Sequence, residues 1–366
     1  MSAAAKAHPK TALGVVTAAT VGNMVCMTAC VSSAFGVFLV PISEDFGWPR
    51  SQVTTVLGII ALVSVIAYPI VGRLIDRFGG RRVILTGNVL LALSVAAVSQ
   101  ANGSVLQFYT LFALIGIAGA IPSAAMFSKV VSEWFDDNRG LMLGISAGLG
   151  NGIGATILPI LAAIFLHNYG WKSSYALIGA VVFLVGFPTM YFLLKDAPKT
   201  PSTESAGAAA EAPQIGLSFD EAVRTPVFWL ILLSLGMGSG SLTAVFSHTI
   251  PVLTDRGFDL AHATGVMSTF ALTTAGWQIV TGTILDRIAR PQAVAPWFLL
   301  ACGGLWLLQY GHTDAELIGG AVLLGIGLGA AYGALNYFIS RYFGFKAFGM
   351  ITGVMYSVVM LAQGLT

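Results

Sequence analysis

The sequence predicts an all-α integral membrane protein. Three observations lead to that fold class: few charged residues, long apolar runs, and charges gathered in the short segments between those runs. Of the 366 residues, 56% are hydrophobic and only 9% are charged, whereas a soluble domain carries ~25% charged residues. Such a chain cannot cover a water-facing surface, so a lipid bilayer is one of its partners.

Ten complete apolar runs and part of an eleventh approach the ~20 residues that a membrane-spanning helix needs. They cover approximately residues 12–40, 52–72, 83–101, 105–130, 139–166, 171–195, 226–252, 261–285, 292–310, 314–340 and 347–366. The first run is too long for the core of a signal peptide. In the fifth run a face of small residues predicts close helix contact, formed by Gly144, Gly148, Gly150, Gly152 and Gly154.

The distribution of cations predicts the orientation. Of the 18 lysines and arginines, only Arg50, Lys172 and Arg256 fall on the side away from the N-terminus, which leaves 15 on the N-terminal side. Because cytoplasmic loops are enriched in lysine and arginine, we expect a multi-pass protein of the cytoplasmic (inner or plasma) membrane with its N-terminus in the cytoplasm. Lys129 and Lys346 lie near span ends, where we expect them to snorkel to the interface.

Composition excludes several other classes of function. The cysteines Cys26, Cys30 and Cys302 all lie in apolar runs, so we expect neither a disulfide framework nor a metal site. The five histidines are scattered without paired ligand spacing, so an enzyme with a metal or other cofactor is not expected. A formal net charge of +2 is too small to indicate a nucleic-acid partner.

Residues 196–225 predict a cytoplasmic linker. This segment is rich in proline, alanine, serine and glycine and has too little apolar surface to fold. It separates an N-terminal half of six spans, residues 1–195, from a C-terminal half, residues 226–366, that contains spans seven to eleven.

The two halves repeat one another. Residues 72–77, Gly-Arg-Leu-Ile-Asp-Arg, return 210 positions later as residues 282–287, Gly-Thr-Ile-Leu-Asp-Arg. Repeats of the same polarity on the same membrane side are related by an axis along the membrane normal. If the second half matches the first, the chain stops partway through span eleven, before a twelfth span.

The loop of residues 72–82 resembles the signature loop of the major facilitator superfamily, Gly-x-x-x-Asp-Arg-x-Gly-Arg-Arg. The matching residues are Gly72, Asp76, Arg77, Gly79 and Arg81, whereas Gly80 stands where that family usually has a basic residue. The resemblance implies the major-facilitator fold, two six-helix pseudo-repeats around a central cavity, here ending within span eleven. It also implies a conformational gate between the halves, formed by Gly72, Arg73, Asp76, Arg77, Gly79, Arg81, Arg82, Gly282, Asp286 and Arg287.

Three further segments look like the monocarboxylate-porter and oxalate/formate-antiporter branch of that superfamily, namely residues 44–51, 134–145 and 248–258. This resemblance implies a small organic anion as substrate. Transporters of that branch often carry an arginine in span eight, whereas residues 262–285 contain no lysine or arginine. A fixed cation is the easiest way to hold a carboxylate in a low dielectric, so a neutral or drug-like solute stays open as an alternative.

Polar residues inside the spans are the candidates for the substrate cavity. On the family's layout they are Asn23, Tyr68, Ser123, Asn151, Thr243, His248, Trp277, Gln278, Tyr332, Asn336 and Tyr337. Each can serve instead as a helix–helix hydrogen bond, worth ~0.6 kcal/mol in membranes.

These observations together predict a secondary active transporter that works by alternating access. The expected partners are a small-molecule substrate, a mono- or dicarboxylate, and either a proton or an exchanged anion. A non-transporting membrane sensor of the same fold is a further alternative.

Overall fold

A computed structural model describes residues 8–198, 216–288 and 290–364. Across those residues the chain is almost wholly helical, and bridged extended backbone is limited to one antiparallel bridge between Gly216 and Gly344. The predicted all-α class is confirmed. Residues 199–215 of the predicted linker and residues 365–366 at the predicted end of span eleven lie outside the described residues.

Eight helical stretches of the described residues are long and apolar enough to cross a membrane. They are Pro9–Phe46 (span 1), Arg50–Phe78 (span 2), Gly80–Gln100 (span 3), Val105–Trp134 (span 4), Arg139–Leu193, Pro226–Phe246, Gln292–Tyr310 (span 9) and Asp314–Tyr342 (span 10). The stretch Arg139–Leu193 is broken at Gly170, where φ is 74°. It therefore contains two crossings, residues 139–169 (span 5) and 171–193 (span 6).

Three more helices complete the predicted order. Gly238–Asp255 continues from Pro226–Phe246, so that residues 226–255 form span 7. Leu260–Ile288 is span 8, and Phe348–Gly364 is span 11. Span ends differ from the prediction by several residues. Hydropathy alone does not end the helices, because a glycine in the left-handed region, such as Gly47 at φ 65°, also stops a helix.

Four spans are interrupted by π-helical turns, at residues 28–32, 145–149, 182–186 and 232–237. Such turns shift the backbone hydrogen-bond register and are frequent at functional sites. In span 1 the regular helix also stops at Met24, and Val25 has a non-helical ψ of 13°. Irregular backbone at membrane depth is tolerated only where protein buries it or where it lines a cavity.

The apolar core shows where the two halves meet. We call the end of the bundle that carries residues 72–82 and 282–290 the basic face, and the opposite end the distal face. One core cluster, which includes Ile75, Trp134 and Phe343, draws residues from both halves near the basic face. Two other clusters, one around Phe108 and one around Phe270, each belong to a single half. The halves therefore share a core at the basic face and keep separate cores toward the distal face.

Residues 216–225, which the sequence assigns to the linker, rest on this shared core. A short helix, Phe219–Val223, begins at a capping box in which Ser218 and Glu221 bond each other's backbone. Hydrogen bonds from the side chain and backbone of Ser218 hold the pKa of the Glu221 carboxyl below its usual value. Leu217 also donates its backbone N–H to the carbonyl of Phe343, at 2.9 Å, so this segment is tied to the turn before span 11.

Glycine spacing within span 1 gives a stability test. A Cβ on Gly22 would lie 2.1 Å from the Phe127 ring, whereas a Cβ on Gly36 would meet nothing within 4 Å. We expect Gly22→Ala to destabilise the protein by roughly 1–3 kcal/mol through overpacking, and Gly36→Ala to leave stability nearly unchanged. Thermal unfolding of the detergent-solubilised variants measures this. Equal transition temperatures for the two variants would contradict the packing shown by the structure.

Candidate functional site

The Asp76 carboxylate joins the two halves at the basic face. It accepts hydrogen bonds from the backbone N–H groups of Gly349 and Met350, each at 2.9 Å, in the first turn of span 11. These N–H groups have no acceptor within their own helix, and the positive end of the helix dipole favours an anion there. Asp76 thus serves as a cap supplied by the opposite half.

Glycine makes this approach possible. A Cβ on Gly72 would lie 2.0 Å from the Gly349 carbonyl oxygen, and a Cβ on Gly349 would lie 2.5 Å from that of Gly72. Real Cβ atoms do not come so close, because heavy atoms at that distance overlap. The spacing of Gly72 and Asp76, one helical turn apart, therefore places a backbone contact and a carboxylate cap on the same face of span 2.

The second repeat reproduces this arrangement. Asp286 accepts hydrogen bonds from the N–H groups of Gly140, at 2.8 Å, and Leu141, at 2.9 Å, in the first turn of span 5. A Cβ on Gly282 would lie 1.9 Å from the Gly140 carbonyl oxygen. We call these two contacts the Asp76 cap and the Asp286 cap. Both lie at the basic face, as parallel repeats require.

Lys129 makes the two caps unequal. Its ammonium lies 2.5 Å from the Asp76 carboxylate and 3.9 Å from Glu133, and its side chain is only 4% exposed. The prediction that Lys129 snorkels to the interface is wrong, because the carboxylate of span 2 holds the ammonium inside the protein. Lys346 is half-exposed, 3.9 Å from Glu221.

Arg139 also crosses between the halves, although the sequence did not single it out. Its guanidinium donates to Ser340 Oγ at 3.2 Å and lies 5.0 Å from the centre of the Phe345 ring. It is anchored in its own half by Asp136 at 2.5 Å. Its position at the predicted start of span 5, directly before Gly140, was the available signal in the sequence.

The other predicted gate residues take no part in the two aspartate caps. Arg73 reaches across to the Met350 sulfur at 3.7 Å, and Arg287 is exposed. Gly79, at φ 87°, is the hinge between spans 2 and 3. Arg77 packs on the neighbouring Phe78 ring. Arg81 and Arg82 lie beside span 6, within the N-terminal half.

Several of the predicted cavity residues come together just above the Asp76 cap. The Tyr68 and Tyr356 rings lie 5.8 Å apart, one from each half. Asn336 Nδ2 donates to the Tyr356 hydroxyl at 3.0 Å, and the hydroxyls of Thr243 and Tyr332 are 2.9 Å apart. The side chain of Ser123 interacts with that of Tyr68. We call the whole set the central polar cluster; it comprises Tyr68, Ser123, Thr243, Tyr332, Asn336 and Tyr356.

An unused acceptor belongs to this cluster. Asn336 is buried, and its Oδ1 has no hydrogen-bond partner among the described residues. Buried polar atoms are nearly always satisfied, so this amide oxygen, on the residue that donates to the Tyr356 hydroxyl, is available to a hydrogen-bond donor that is not part of the described protein. The cluster offers hydroxyl and amide groups from both halves.

Tyr356 was missed by sequence reasoning, although the sequence held a signal. Gly349, Gly353 and Tyr356 follow the i, i+4, i+7 pattern of one helix face. A Cβ on Gly353 would lie 2.4 Å from the Tyr68 carbonyl oxygen. The face that carries the repeated glycines therefore points at span 2, and Tyr356 is the next residue on it.

The remaining candidates lie elsewhere. Asn23 donates to the Ser146 carbonyl at 3.0 Å, and Asn151 accepts from the Cys26 thiol at 3.3 Å, so both connect span 1 to span 5 within one half. The backbone of Gln278 packs against Gly144. The predicted single small face of span 5 is wrong: Gly144, Gly148 and Gly152 contact span 8, whereas Gly150 and Gly154 contact span 1.

Three candidates make their described contacts outside the central polar cluster. Trp277 packs against the Trp297 ring of span 9, 5.9 Å between centres. Tyr337 donates its hydroxyl to the Leu285 carbonyl at 2.9 Å, next to the Asp286 cap. His248 is exposed, and its Nδ1 lies 2.9 Å from the Ala244 carbonyl of its own helix.

The described residues contain no group of three or more histidine, cysteine, aspartate or glutamate side chains arranged to hold a metal ion. The arrangement as a whole is a polar cluster at the seam of two helical halves, closed at one end by two reciprocal caps. That combination defines a class of protein, a two-half membrane carrier.

Comparison with known proteins identifies the family. The sequence model of the Major Facilitator Superfamily matches residues 21–366, and the chain belongs to that family. The predicted family resemblance is thereby confirmed.

Similar sequences include several transporters. The chain is 24% identical to the uncharacterized MFS-type transporter YhjX of Escherichia coli K12 over 324 residues, which covers 86% of this chain and 77% of that protein. It is 24% identical to human monocarboxylate transporter 11, over 75% of this chain and 57% of that one. It is 25% identical to the probable nitrate/nitrite transporter NarK2 of Mycobacterium tuberculosis, over 86% and 77%.

Two solved structures share the fold. The human organic anion transporter MFSD10 (TETRAN) aligns with a TM-score of 0.69 at 17% identity, covering 96% of this chain and 91% of that chain. The E. coli fucose:proton symporter FucP (N162A) aligns with a TM-score of 0.67 at 17% identity, covering 96% and 90%. The predicted major-facilitator fold is confirmed.

The reciprocal caps give a conformational test. Removing an N-terminal cap costs a helix ~1 kcal/mol, so we expect Asp76→Ala to speed backbone hydrogen–deuterium exchange at residues 349–350 roughly fivefold. We expect Asp286→Ala to have the same effect at residues 140–141 and not at 349–350. Exchange followed by mass spectrometry on the intact protein separates the two. If Asp76→Ala left residues 349–350 as protected as before, the cap would have no energetic role.

Proposed function

We propose that the chain is a secondary active transporter that carries a small organic solute, a mono- or dicarboxylate, across the cytoplasmic membrane by alternating access. The observation that carries this proposal is the pair of caps. Each binds the two halves together only at the basic face, through contacts that are lost when the halves separate there.

The mechanism follows from the geometry. With the caps made and the distal cores separate, solute reaches the central polar cluster from the distal side. Binding at the cluster draws the distal ends of the two halves together, and the basic face then opens by releasing the Gly349 and Gly140 turns. Asp76 keeps Lys129 as a partner when span 11 departs, so its carboxylate is not left buried and unpaired.

The charge distribution supports the direction of this cycle. On the predicted span order, 15 of the 18 lysines and arginines belong to the side of the basic face, which supports a cytoplasmic location for that face under the positive-inside rule. The closed basic face then corresponds to an outward-open state.

The substrate class rests on two considerations. Among the similar proteins are ones named as monocarboxylate and nitrate/nitrite transporters, which supports an anionic solute. The central polar cluster contributes hydroxyl and amide groups that can bind a carboxylate by hydrogen bonds. A cotransported proton would neutralise the carboxylate, whereas an anion moving in exchange would balance the charge carried across the membrane.

A neutral solute is the second candidate. The cluster residues themselves, all tyrosine, serine, threonine or asparagine, include no cation to neutralise a carboxylate in low dielectric. The same donors suit the hydroxyl groups of a sugar-like or drug-like molecule.

Uptake by the full-length protein in proteoliposomes tests the proposal. We expect a radiolabelled mono- or dicarboxylate to accumulate under a proton gradient or against a preloaded anion. Accumulation of neutral solutes only would favour the second candidate, and binding without accumulation would replace transport by a sensor role.

The gate can be tested in the same vesicles. We expect Asp76→Asn and Asp286→Asn to insert normally and to lower the transport rate about tenfold while substrate binding persists, since each weakens a state-specific contact. Normal turnover in both variants would remove the gating role.

The central polar cluster has its own prediction. We expect Asn336→Ala to raise KM five- to tenfold, because one direct hydrogen bond to substrate contributes about 0.5–1.5 kcal/mol. Asn168→Ala, which removes an exposed amide that donates to the Ile164 carbonyl of its own helix, should leave KM within twofold. Equal effects of the two substitutions would place the substrate elsewhere.

A further inference from the structure

Arg81 and Arg82 belong to the signature loop but do not take part in either cap. Arg81 donates through Nη2 to the Tyr191 carbonyl of span 6 at 2.8 Å, and its guanidinium lies 5.5 Å from the Tyr191 ring centre. Asp196 accepts the Arg81 backbone N–H at 2.8 Å, which fixes the start of span 3. Arg82, one residue further, is exposed and makes no ion pair within 4 Å with the described side chains.

A groove lies directly beneath these two arginines. It runs between spans 3 and 6, has a volume of about 530 Å³, and is lined by Arg82, Leu85, Thr86, Val89, Leu90, Phe187 and Tyr191. Its polar groups are at one end, because Arg82 and Thr86 occupy the first turns of span 3. Its walls are apolar, and Leu90 is 46% and Tyr191 49% exposed on the outer surface of the bundle.

We propose that this groove binds an anionic phospholipid of the leaflet at the basic face. Arg82 receives the headgroup phosphate, and the apolar wall receives the first part of an acyl chain. From Arg82 to Leu90 the helix rises ~12 Å, which matches a headgroup at the interface above a chain in the hydrocarbon layer.

Charge complementarity selects this occupant. An unpaired guanidinium at the membrane interface binds phosphate through its planar donors, and basic pockets between spans on the cytoplasmic side bind anionic headgroups. Arg81 adds positive charge beside Arg82, and its Nε has no hydrogen-bond partner among the described residues.

Two other places in the molecule do not combine an unpaired cation with an apolar groove. The groove of about 700 Å³ at the distal end of spans 3 and 6 contains Lys172, but Asp45 lies 3.4 Å from that ammonium and neutralises it. In the second half, Gln292 stands 210 positions after Arg82. The sequence repeat is therefore broken at the residue that would bind the phosphate.

Native mass spectrometry of the delipidated full-length protein tests the proposal without any transport assay. The probes are phosphatidylglycerol and phosphatidylcholine with identical acyl chains. We expect wild-type protein to bind phosphatidylglycerol at least fivefold more tightly, and Arg82→Gln to lose about that factor, as one juxtamembrane arginine contributes at an anionic surface. Arg290→Gln removes an exposed cation on the same face outside the groove and should bind phosphatidylglycerol like wild type.

A second variant addresses the apolar wall. Val89→Trp fills the groove without changing charge and should weaken binding of both lipids. The proposal is overturned if Arg82→Gln binds phosphatidylglycerol as wild type does, or if Arg290→Gln weakens it equally. It is also overturned if inorganic phosphate competes at the same concentration as the lipid, because the ligand would then be a free anion.

Discussion

The contact between the two halves at the basic face depends on helix N-termini that are buried between them. Two first turns, those of spans 5 and 11, meet the opposite half of the molecule, and each needs an acceptor for its free N–H groups. Asp286 and Asp76 supply the acceptors. A carboxylate fills that role best because it accepts two hydrogen bonds at once and lies at the positive end of the helix dipole. Glycine on both sides of each contact removes the side chains that would hold the helices apart.

This contact also positions the proposed binding site. Span 2 presents Gly72 to Gly349 and, one turn further from the basic face, presents Tyr68 to Gly353 and Tyr356. The helix faces that form the caps are therefore continuous with the faces that carry the central polar cluster. Under the proposed function, a ligand bound by the tyrosines acts on the same two helices that carry the Asp76 cap, which would couple binding to gating.

The two halves are alike in backbone and unlike in charge. Both caps use the same glycine and aspartate spacing, but Lys129 supports only Asp76, and Arg139 crosses only beside Asp286. Arg82 likewise has no cationic counterpart at Gln292. The repeated backbone is what the proposed rocking of two halves requires. The charges differ between the copies: Lys129 pairs with the carboxylate of one cap, and Arg139 bonds across the halves beside the other.

The sequence by itself determined the membrane class and the order of the helical spans. It also singled out Gly72, Asp76, Gly282 and Asp286, which form the two caps in the structure. Hydropathy and repetition can be read from short stretches of sequence. An apolar stretch long enough to cross a bilayer must satisfy its own backbone hydrogen bonds, so it forms a helix. Only the tertiary structure decided which polar residues share a site. In the structure Tyr68, Asn336 and Tyr356 lie together. Trp277 packs against span 9, and the ammonium of Lys129 is buried. Those outcomes depend on the rotation of each helix about its own axis. π turns and glycine contacts between segments distant in sequence determine that rotation, so a local sequence pattern does not predict it.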